Sequence, residues 1–138
     1  MNTPAPLGLR DFNPWNLQQA HVPWIGLVET EPLTGELIFD DLIDGIRAGI
    51  RLCYTYQREG LNTPAAFIQK FSPAAAGNPT AQYCTNVCDW TGFDSKQPID
   101  FHNPTVMIAW AKAIFRQEQG PDYGITDDQI QQAIALAA

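Results

Sequence analysis

Apolar residues recur every three or four positions over residues 40–59, which is the clearest periodic pattern in the chain. This spacing puts apolar side chains on one face of an α-helix. Asp40 or Asp41 can cap the first turn, and a glycine follows the last position of the pattern. The segment is therefore predicted to be a long amphipathic helix, and Gly45 and Gly49 within it indicate that another segment approaches closely.

Further helices are predicted where apolar stripes lie between start and stop signals. Pro64 and Pro104 occupy early helical positions, where the missing N–H costs nothing, and Thr63 and Asn103 precede them as caps. Thr126 can cap the last helix in the same way. The predicted segments are residues 63–71, 78–90, 103–118 and 126–138.

A β-hairpin is predicted before the first long helix. Residues 25–30 and 36–39 are β-prone runs on either side of a turn that contains proline and glycine. The fold class is therefore mainly α (α+β), with about five helices and one small hairpin. A single domain is predicted over residues 1–138, and its parts are an irregular N-terminal segment (1–23), the hairpin (24–39) and a helical part (40–138).

Composition excludes several classes of function. With 138 residues, 45% apolar and 17% charged, the chain has a globular composition suited to one domain. Its net charge of −7 argues against binding the phosphate backbone of a nucleic acid. No apolar run reaches the roughly 18 residues of a membrane span, and the N-terminus lacks the basic and apolar regions of a signal peptide.

The cysteines are expected to be free thiols. Cys84 and Cys88 share one face of a predicted helix, and Cys53 lies in another helix. Their spacing matches no familiar zinc pattern, and no glycine-rich loop that would hold phosphate is present. We therefore expect neither a metal nor a cofactor.

Glu118 is the candidate for catalytic chemistry. It stands at the end of the predicted helix 103–118, directly before Gln119 and Gly120. The negative end of a helix and partial burial both raise the pKa of a carboxyl group. A glutamate that stays protonated near neutral pH can donate a proton to a leaving sugar oxygen. The alternative is an ordinary solvated glutamate at a helix end.

Glycan hydrolysis usually needs a second carboxyl group, about 5 Å away in retaining enzymes and about 6.5–9.5 Å away in inverting ones. Glu29 and Glu36 in the hairpin are the first choices. The alternative is that these glutamates only solvate an exposed face. A lytic transglycosylase needs a single acid/base group, because the 6-hydroxyl of the substrate attacks instead of water.

Two asparagines beside Pro14 are candidate binding residues. The amides of Asn13 and Asn16 can hold N-acetyl groups or place the Glu118 carboxylate, and they can equally form turns with their own backbone. Both alternatives remain open from the sequence.

Aromatic and basic side chains supply further candidates. Trp15 and Trp24 lie in irregular chain near the expected groove and are predicted to stack on sugars, whereas Tyr83 has core packing as its alternative. Arg47 on the long helix is expected to hold a carboxylate such as Glu118 or Asp44, and a structural ion pair is favoured over direct substrate contact.

Residues 8–17 read Gly-Leu-Arg-Asp-Phe-Asn-Pro-Trp-Asn-Leu and resemble the opening of a phage-associated family, typically Gly-Ile-Arg-Asn-Asn-Asn-Pro-Gly-Asn-Ile. The similarity continues in order along nearly the whole chain. It departs at Asp11 and Phe12, which replace two asparagines, at Trp15, which replaces glycine, and at Gln117, which replaces histidine. The other matching segments are 24–26, 44–48, 60–63, 71–73, 78–80 and 114–120.

Members of that family are labelled virion proteins or lysozyme-like proteins. The resemblance implies a bacteriophage hydrolase of the endolysin type that degrades the cell wall: a muramidase, glucosaminidase or lytic transglycosylase acting on peptidoglycan glycan strands. It implies location in the virion, or in the host cytoplasm with delivery to the periplasm. The alternative is a non-catalytic virion structural protein with a lysozyme-like body, whose partners are other virion subunits.

A weaker similarity links the chain to glucosaminidases and soluble lytic transglycosylases. In those enzymes a helix that ends in Gln-Glu-Ser-Gly precedes an asparagine-containing stretch, a hairpin and further helices. Here the asparagine stretch and the hairpin come first, and the helix that ends at Glu118 comes late. The order suggests a circularly permuted lysozyme-like plan, which chains tolerate when their termini lie close together.

Overall fold

The computed structural model describes residues 6–18, 24–32 and 34–138. This part of the chain is mainly helical with one small antiparallel sheet, so the predicted fold class is confirmed. The helices are α1 (Leu7–Arg10), α2 (Leu42–Arg58), α3 (Pro64–Phe71), α4 (Thr80–Thr91), α5 (Pro104–Gln119) and α6 (Asp127–Ala137). The strands are β1 (Leu27–Thr30) and β2 (Leu37–Phe39).

Side-chain caps explain why the long helices begin close to where the sequence predicts. Asp41 and Thr63 accept hydrogen bonds from backbone amides in the first turns of α2 and α3. Asn103 does the same for α5, and Thr126 forms a reciprocal capping box with Gln129 in α6. A cap of this kind typically stabilises a helix by about 1 kcal/mol.

The N-terminal segment differs from the irregular chain predicted for it. Residues 7–10 form one helical turn, which has no side-chain cap and is too short to give a periodic signal. Phe12 and Asn16 then adopt left-handed backbone angles, with φ of 55° and 54°. Residues 1–5 and 19–23 of the predicted segment lie outside the described residues.

The two strands of the hairpin face different surroundings. β1 pairs antiparallel with β2, with Leu27 opposite Phe39 and Thr30 opposite Leu37. Leu37 and Phe39 are buried, whereas the residues of β1 after Leu27 are exposed. The backbone N–H of Leu37 also bonds to the Leu17 carbonyl oxygen, so the N-terminal loop lies along the inner strand.

The core lies between the helices, where α2 packs on α6 and α4 packs on α5. An aromatic cluster joins α3 to α5, with the rings of Phe67 and Trp110 edge to face at 5.1 Å. No helix in the described ranges combines the length and apolarity needed to cross a membrane.

Two glycines let the N-terminal loop press against α2. A Cβ atom on Gly45 would lie 1.6 Å from the carbonyl oxygen of Phe12, and one on Gly49 would lie 2.2 Å from the ring of Trp15. Neither contact is sterically possible, so only glycine fits at these positions. The loop that contains Asn16 is therefore held directly on the long helix.

Candidate active site

Glu118 lies in the last turn of α5 and is held by two donors from different parts of the chain. Its Oε1 accepts a hydrogen bond from Asn16 Nδ2 at 2.7 Å, and its Oε2 accepts one from the Tyr83 hydroxyl at 2.7 Å. Burial raises the pKa of Glu118 above its ordinary value, while these two hydrogen bonds lower it. Because burial is the larger effect, the carboxyl group binds its proton more tightly than a solvated glutamate does.

Asn16 reaches Glu118 because of its left-handed backbone, which asparagine tolerates better than most residues. Its Oδ1 accepts a hydrogen bond from Gln119 Nε2 at 2.9 Å, and the same Nε2 donates to the Pro14 carbonyl oxygen at 3.0 Å. The N-terminal loop and the end of α5 are thus tied together. Of the three roles considered for Asn16, which are binding N-acetyl groups, placing the Glu118 carboxylate and forming a turn, the structure shows the contact with Glu118.

Glu118 borders a cavity of about 520 Å³ between the N-terminal loop, the hairpin, α2 and the α3–α4 connection, here called the carboxyl cavity. Its volume is in the range of small-molecule binding sites. Its lining includes Asn16, Glu36, Tyr56, Ser72, Asn78 and Glu118.

Glu36 is a second carboxyl group of this cavity, although it is only 4% exposed. Burial is the main cause that raises its pKa to about 7, and the Asp11 carboxyl group and the charges of Glu118 and Glu31 add to the effect. Glu36 therefore holds its proton well into the pH range in which an ordinary glutamate has lost it.

The structure removes Glu29 from the candidate acids. Glu29 lies in β1, is exposed, and does not line the carboxyl cavity. Its strand is the outer one of the hairpin, whereas Glu36 directly precedes the inner strand. The sequence pattern does not distinguish these two glutamates. The structure distinguishes them because β2 is buried and β1 is mostly exposed.

Asn13 and Trp15 are buried and make structural contacts, and Trp15 borders the carboxyl cavity but is only 1% exposed, too little to offer a stacking face to a sugar. Asn13 is fully buried: its Nδ2 donates to the carbonyl oxygens of Leu17 and Leu37, both at 2.9 Å, and its Oδ1 accepts from the Leu17 N–H. Trp15 is buried against Gly49, and its Nε1 donates to the Ile46 carbonyl oxygen at 3.0 Å. The predicted substrate-binding roles of both residues are therefore corrected.

The other predicted binding residues also lie elsewhere than expected. The Tyr83 ring is buried, so it offers no stacking face to a sugar, and its hydroxyl instead contacts Glu118. Trp24 packs partly buried against the core and does not line the carboxyl cavity. Arg47 donates from Nε to the Leu136 carbonyl oxygen at 3.2 Å, near the end of α6, so it does not hold Glu118.

Sequence reasoning missed Gln119 and Asp11 as residues that shape the site. Gln119 follows Glu118 at the helix end and is buried, with contacts to a loop more than 100 positions earlier. Asp11 acts on Glu36 from the N-terminal loop. The departure of Asp11 from the asparagine typical of the phage-associated family was the only available signal for it.

A second cleft, here called the thiol cleft, lies between α3 and α4 and has a volume of about 930 Å³. Its lining includes four alanines, two threonines, Asp89, Asp94 and the free thiols of Cys84 and Cys88. Burial and the neighbouring Cys84 raise the pKa of Cys88 to about 11, so its thiol is protonated at neutral pH. Within the described ranges, no group of three or more His, Cys, Asp or Glu side chains could hold a metal ion.

Compared with models of known protein families, the chain matches none, and no curated protein is significantly similar to it. A functional assignment therefore depends on the chemistry of the carboxyl cavity, together with the motif resemblance described above.

Proposed function

We propose that this protein cleaves glycosidic bonds in the glycan backbone of peptidoglycan, with Glu118 and Glu36 as the reacting carboxyl groups. One observation is central: two carboxyl groups from distant parts of the chain line the same cavity, and both have raised pKa values. Glycoside cleavage generally uses such a pair, one group as proton donor and one as carboxylate. The resemblance to phage-associated lysozyme-like proteins supports peptidoglycan as the glycan.

The reaction needs one proton donor and one carboxylate. The protonated carboxyl group gives its proton to the glycosidic oxygen as the bond from that oxygen to C1 breaks, and the carboxylate stabilises the positive charge that develops at C1. In hydrolysis, the oxygen of a water molecule bonds to C1 and the released proton goes to the carboxylate. In lytic transglycosylation, the 6-hydroxyl oxygen of the same sugar bonds to C1 instead, and its proton takes the same path.

The remaining lining of the carboxyl cavity supports an uncharged polar substrate. Ser72, Asn78 and Gln18 present hydroxyl and amide groups, and Tyr56 and Phe71 add aromatic surface. Sugars with N-acetyl groups need this combination of hydrogen-bonding groups and apolar faces. The acidic side chains of the cavity and the net charge of −7 disfavour a polyanionic substrate.

The decisive experiment measures how fast the purified protein clears a turbid suspension of peptidoglycan. Glu118→Gln should reduce the rate at least about 100-fold, the usual size of an acid–base contribution. The variant should keep its melting temperature, because a glutamine Oε1 can accept from Asn16 and its Nε2 can donate to the Tyr83 hydroxyl. Glu59→Gln is the matched control, since Glu59 pairs with Lys70 on the surface. Clearing that persists in Glu118→Gln would overturn the proposal.

Mass spectrometry of the released fragments distinguishes the two reaction types. Hydrolysis leaves a reducing sugar at the new chain end, whereas transglycosylation leaves a 1,6-anhydro sugar that is lighter by one water molecule. Identifying the sugar at that end also shows which of the two glycosidic bonds is cut.

A non-catalytic virion structural protein with a lysozyme-like body remains the second candidate. One observation favours it: Ile25 and Val28 in the hairpin region are 57% and 60% exposed, which suits contact with another protein subunit. Under this alternative, the wild-type protein would leave peptidoglycan turbidity unchanged, and Glu118 would only stabilise the join between α5 and the N-terminal loop.

A further inference from the structure

Asp11 pairs with Glu36, which is one of the carboxyl groups in the wall of the carboxyl cavity. Asp11 directly follows α1, and its backbone oxygen accepts a hydrogen bond from the Phe39 N–H at 2.9 Å, which fixes it beside β2. The two side chains lie within hydrogen-bonding reach of each other. Asp11 Oδ2 and Glu36 Oε2 are both buried, and neither receives a hydrogen bond from any N–H or O–H group of the described residues.

The charged groups that act on Glu36 are all acidic. They are Asp11 after α1, Glu118 at the end of α5, and Glu31 in the turn of the hairpin. Two carboxylates in contact repel each other strongly in a buried site, so such a pair retains a proton that an isolated group would lose. A carboxyl–carboxyl hydrogen bond also requires that one of its partners is protonated.

The hydrogen bonds around Glu118 are of the opposite kind. Asn16 donates an amide N–H to one oxygen, and Tyr83 donates its hydroxyl to the other. Donors of this kind stabilise the ionised form of a carboxyl group. Within one cavity, therefore, Glu118 has hydrogen-bond donors that favour its carboxylate form, although burial acts against them, whereas burial and the acidic neighbours of Glu36 all favour its protonated form.

We infer that Asp11 is a positioning residue that shares a proton with Glu36, so that Glu36 is the proton donor of the site and Glu118 is its carboxylate. This assignment of roles rests on the proposed glycoside cleavage. In the step itself, Glu36 transfers its proton to the glycosidic oxygen as the C1–O bond breaks. The attacking hydroxyl group bonds to C1 and gives its proton to Glu118, and solvent then returns a proton from Glu118 to Glu36. Asp11 undergoes no net change.

The test is Asp11→Asn, followed by two readouts. The amide removes the neighbouring negative charge and can donate an N–H to Glu36, so the pKa of Glu36 should fall from about 7 by about one pH unit or more. Carbon-13 NMR titration of the glutamate carboxyl groups measures this value directly, and Glu36→Gln identifies the signal. The alkaline limb of the pH–rate profile for peptidoglycan clearing should move to lower pH by the same amount, which a purely structural role would not cause.

Asp122→Asn is the matched control, because Asp122 is exposed after the end of α5 and should leave both readouts unchanged. An unchanged pKa of Glu36 in Asp11→Asn would overturn the shared proton. A lower pKa with an unmoved pH–rate profile would overturn Glu36 as the proton donor. If the wild-type protein clears no peptidoglycan, the proposed function fails, and the NMR titration alone then decides whether the proton is shared.

Discussion

The carboxyl cavity is smaller than the thiol cleft, but it is the one that contains carboxyl groups with raised pKa values. The thiol cleft is larger, at about 930 Å³ against about 520 Å³, yet its wall is mostly small side chains with two free thiols, and burial raises the pKa of Cys88 to about 11. The carboxyl cavity is smaller and contains two carboxyl groups with raised pKa values. The choice of the carboxyl cavity as the candidate site therefore depends on the surroundings of its titratable groups and not on its volume.

The two sites also differ in how the chain builds them. The thiol cleft lies between α3 and α4, which follow each other in sequence. The carboxyl cavity joins the N-terminal loop, the hairpin and the end of α5, and the bond from Asn16 to Glu118 spans 102 positions. The polar groups of the carboxyl cavity are therefore brought together only by the tertiary fold.

The largest effect should follow from removing the carboxyl group of Glu36. Glu36→Gln is expected to slow peptidoglycan clearing about 10²–10⁴-fold, because a proton donor usually contributes that much to the rate. The measurement is the initial rate of turbidity loss near neutral pH. Glu29→Gln is the matched change on the exposed strand of the same hairpin and should stay near the wild-type rate. An equal loss of clearing rate in both variants would contradict the prediction that only the buried glutamate takes part in the reaction.

A smaller effect should appear in the pH dependence of stability. Glu36 has a pKa of about 7 in the folded protein against 4.5 for the free side chain, so the folded state binds its proton more tightly. The resulting stabilisation is complete below about pH 4.5 and is lost as the pH rises through 7. It amounts to a free energy of unfolding on the order of 3 kcal/mol.

Urea denaturation of the wild type and of Glu36→Gln at several pH values checks this prediction. The difference in the free energy of unfolding between the two proteins isolates Glu36 from the other groups that titrate in the same range. The wild type should lose more stability than the variant as the pH rises. If the free energy of unfolding changed with pH in the same way in both proteins, Glu36 would not have the raised pKa on which the prediction depends.

The smallest effect is expected in the thiol cleft. The double variant Cys84→Ser/Cys88→Ser should clear peptidoglycan within about twofold of the wild-type rate, since the thiol cleft contains neither Glu36 nor Glu118. The pKa of Cys88 is raised to about 11, which makes its thiol a poor nucleophile at neutral pH. Its melting temperature should fall by only a few degrees, because neither side chain is fully buried. A tenfold loss of clearing at an unchanged melting temperature would bring the thiol cleft into the function and end the contrast between the two sites.

Local signals in the sequence predict the helices well and the site only in part. Asp41, Thr63 and Asn103 cap helices through contacts within three residues, which a sequence pattern contains in full. Asn13 and Asn16 look equivalent in the sequence, yet one is bonded to the backbone of β2 and the other to Glu118. This difference arises from contacts between residues far apart in sequence, which a local sequence pattern does not contain.

For Glu118, some properties could be predicted from the sequence and others could not. Its place at a helix end beside a glycine was readable from the sequence, and so was a raised pKa from partial burial. The two donors that act against burial were not readable, because both roles considered for Tyr83, sugar stacking and core packing, concerned its ring, whereas its hydroxyl contacts Glu118. The sequence thus predicts that burial raises the pKa of Glu118, whereas the structure is needed to find the hydrogen bonds that lower it.

The bond between Asn16 and Glu118 has a consequence for biosynthesis. Because its two ends stand 102 positions apart, a growing chain can form the hairpin and α2 long before the carboxyl cavity exists. Contacts of such high sequence separation are expected to form late in folding. A ribosome-bound product that ends before α5 would therefore lack Glu118 and also α5 and α6, the helices on which α4 and α2 pack, so the core and the carboxyl cavity can form only after these two helices are made.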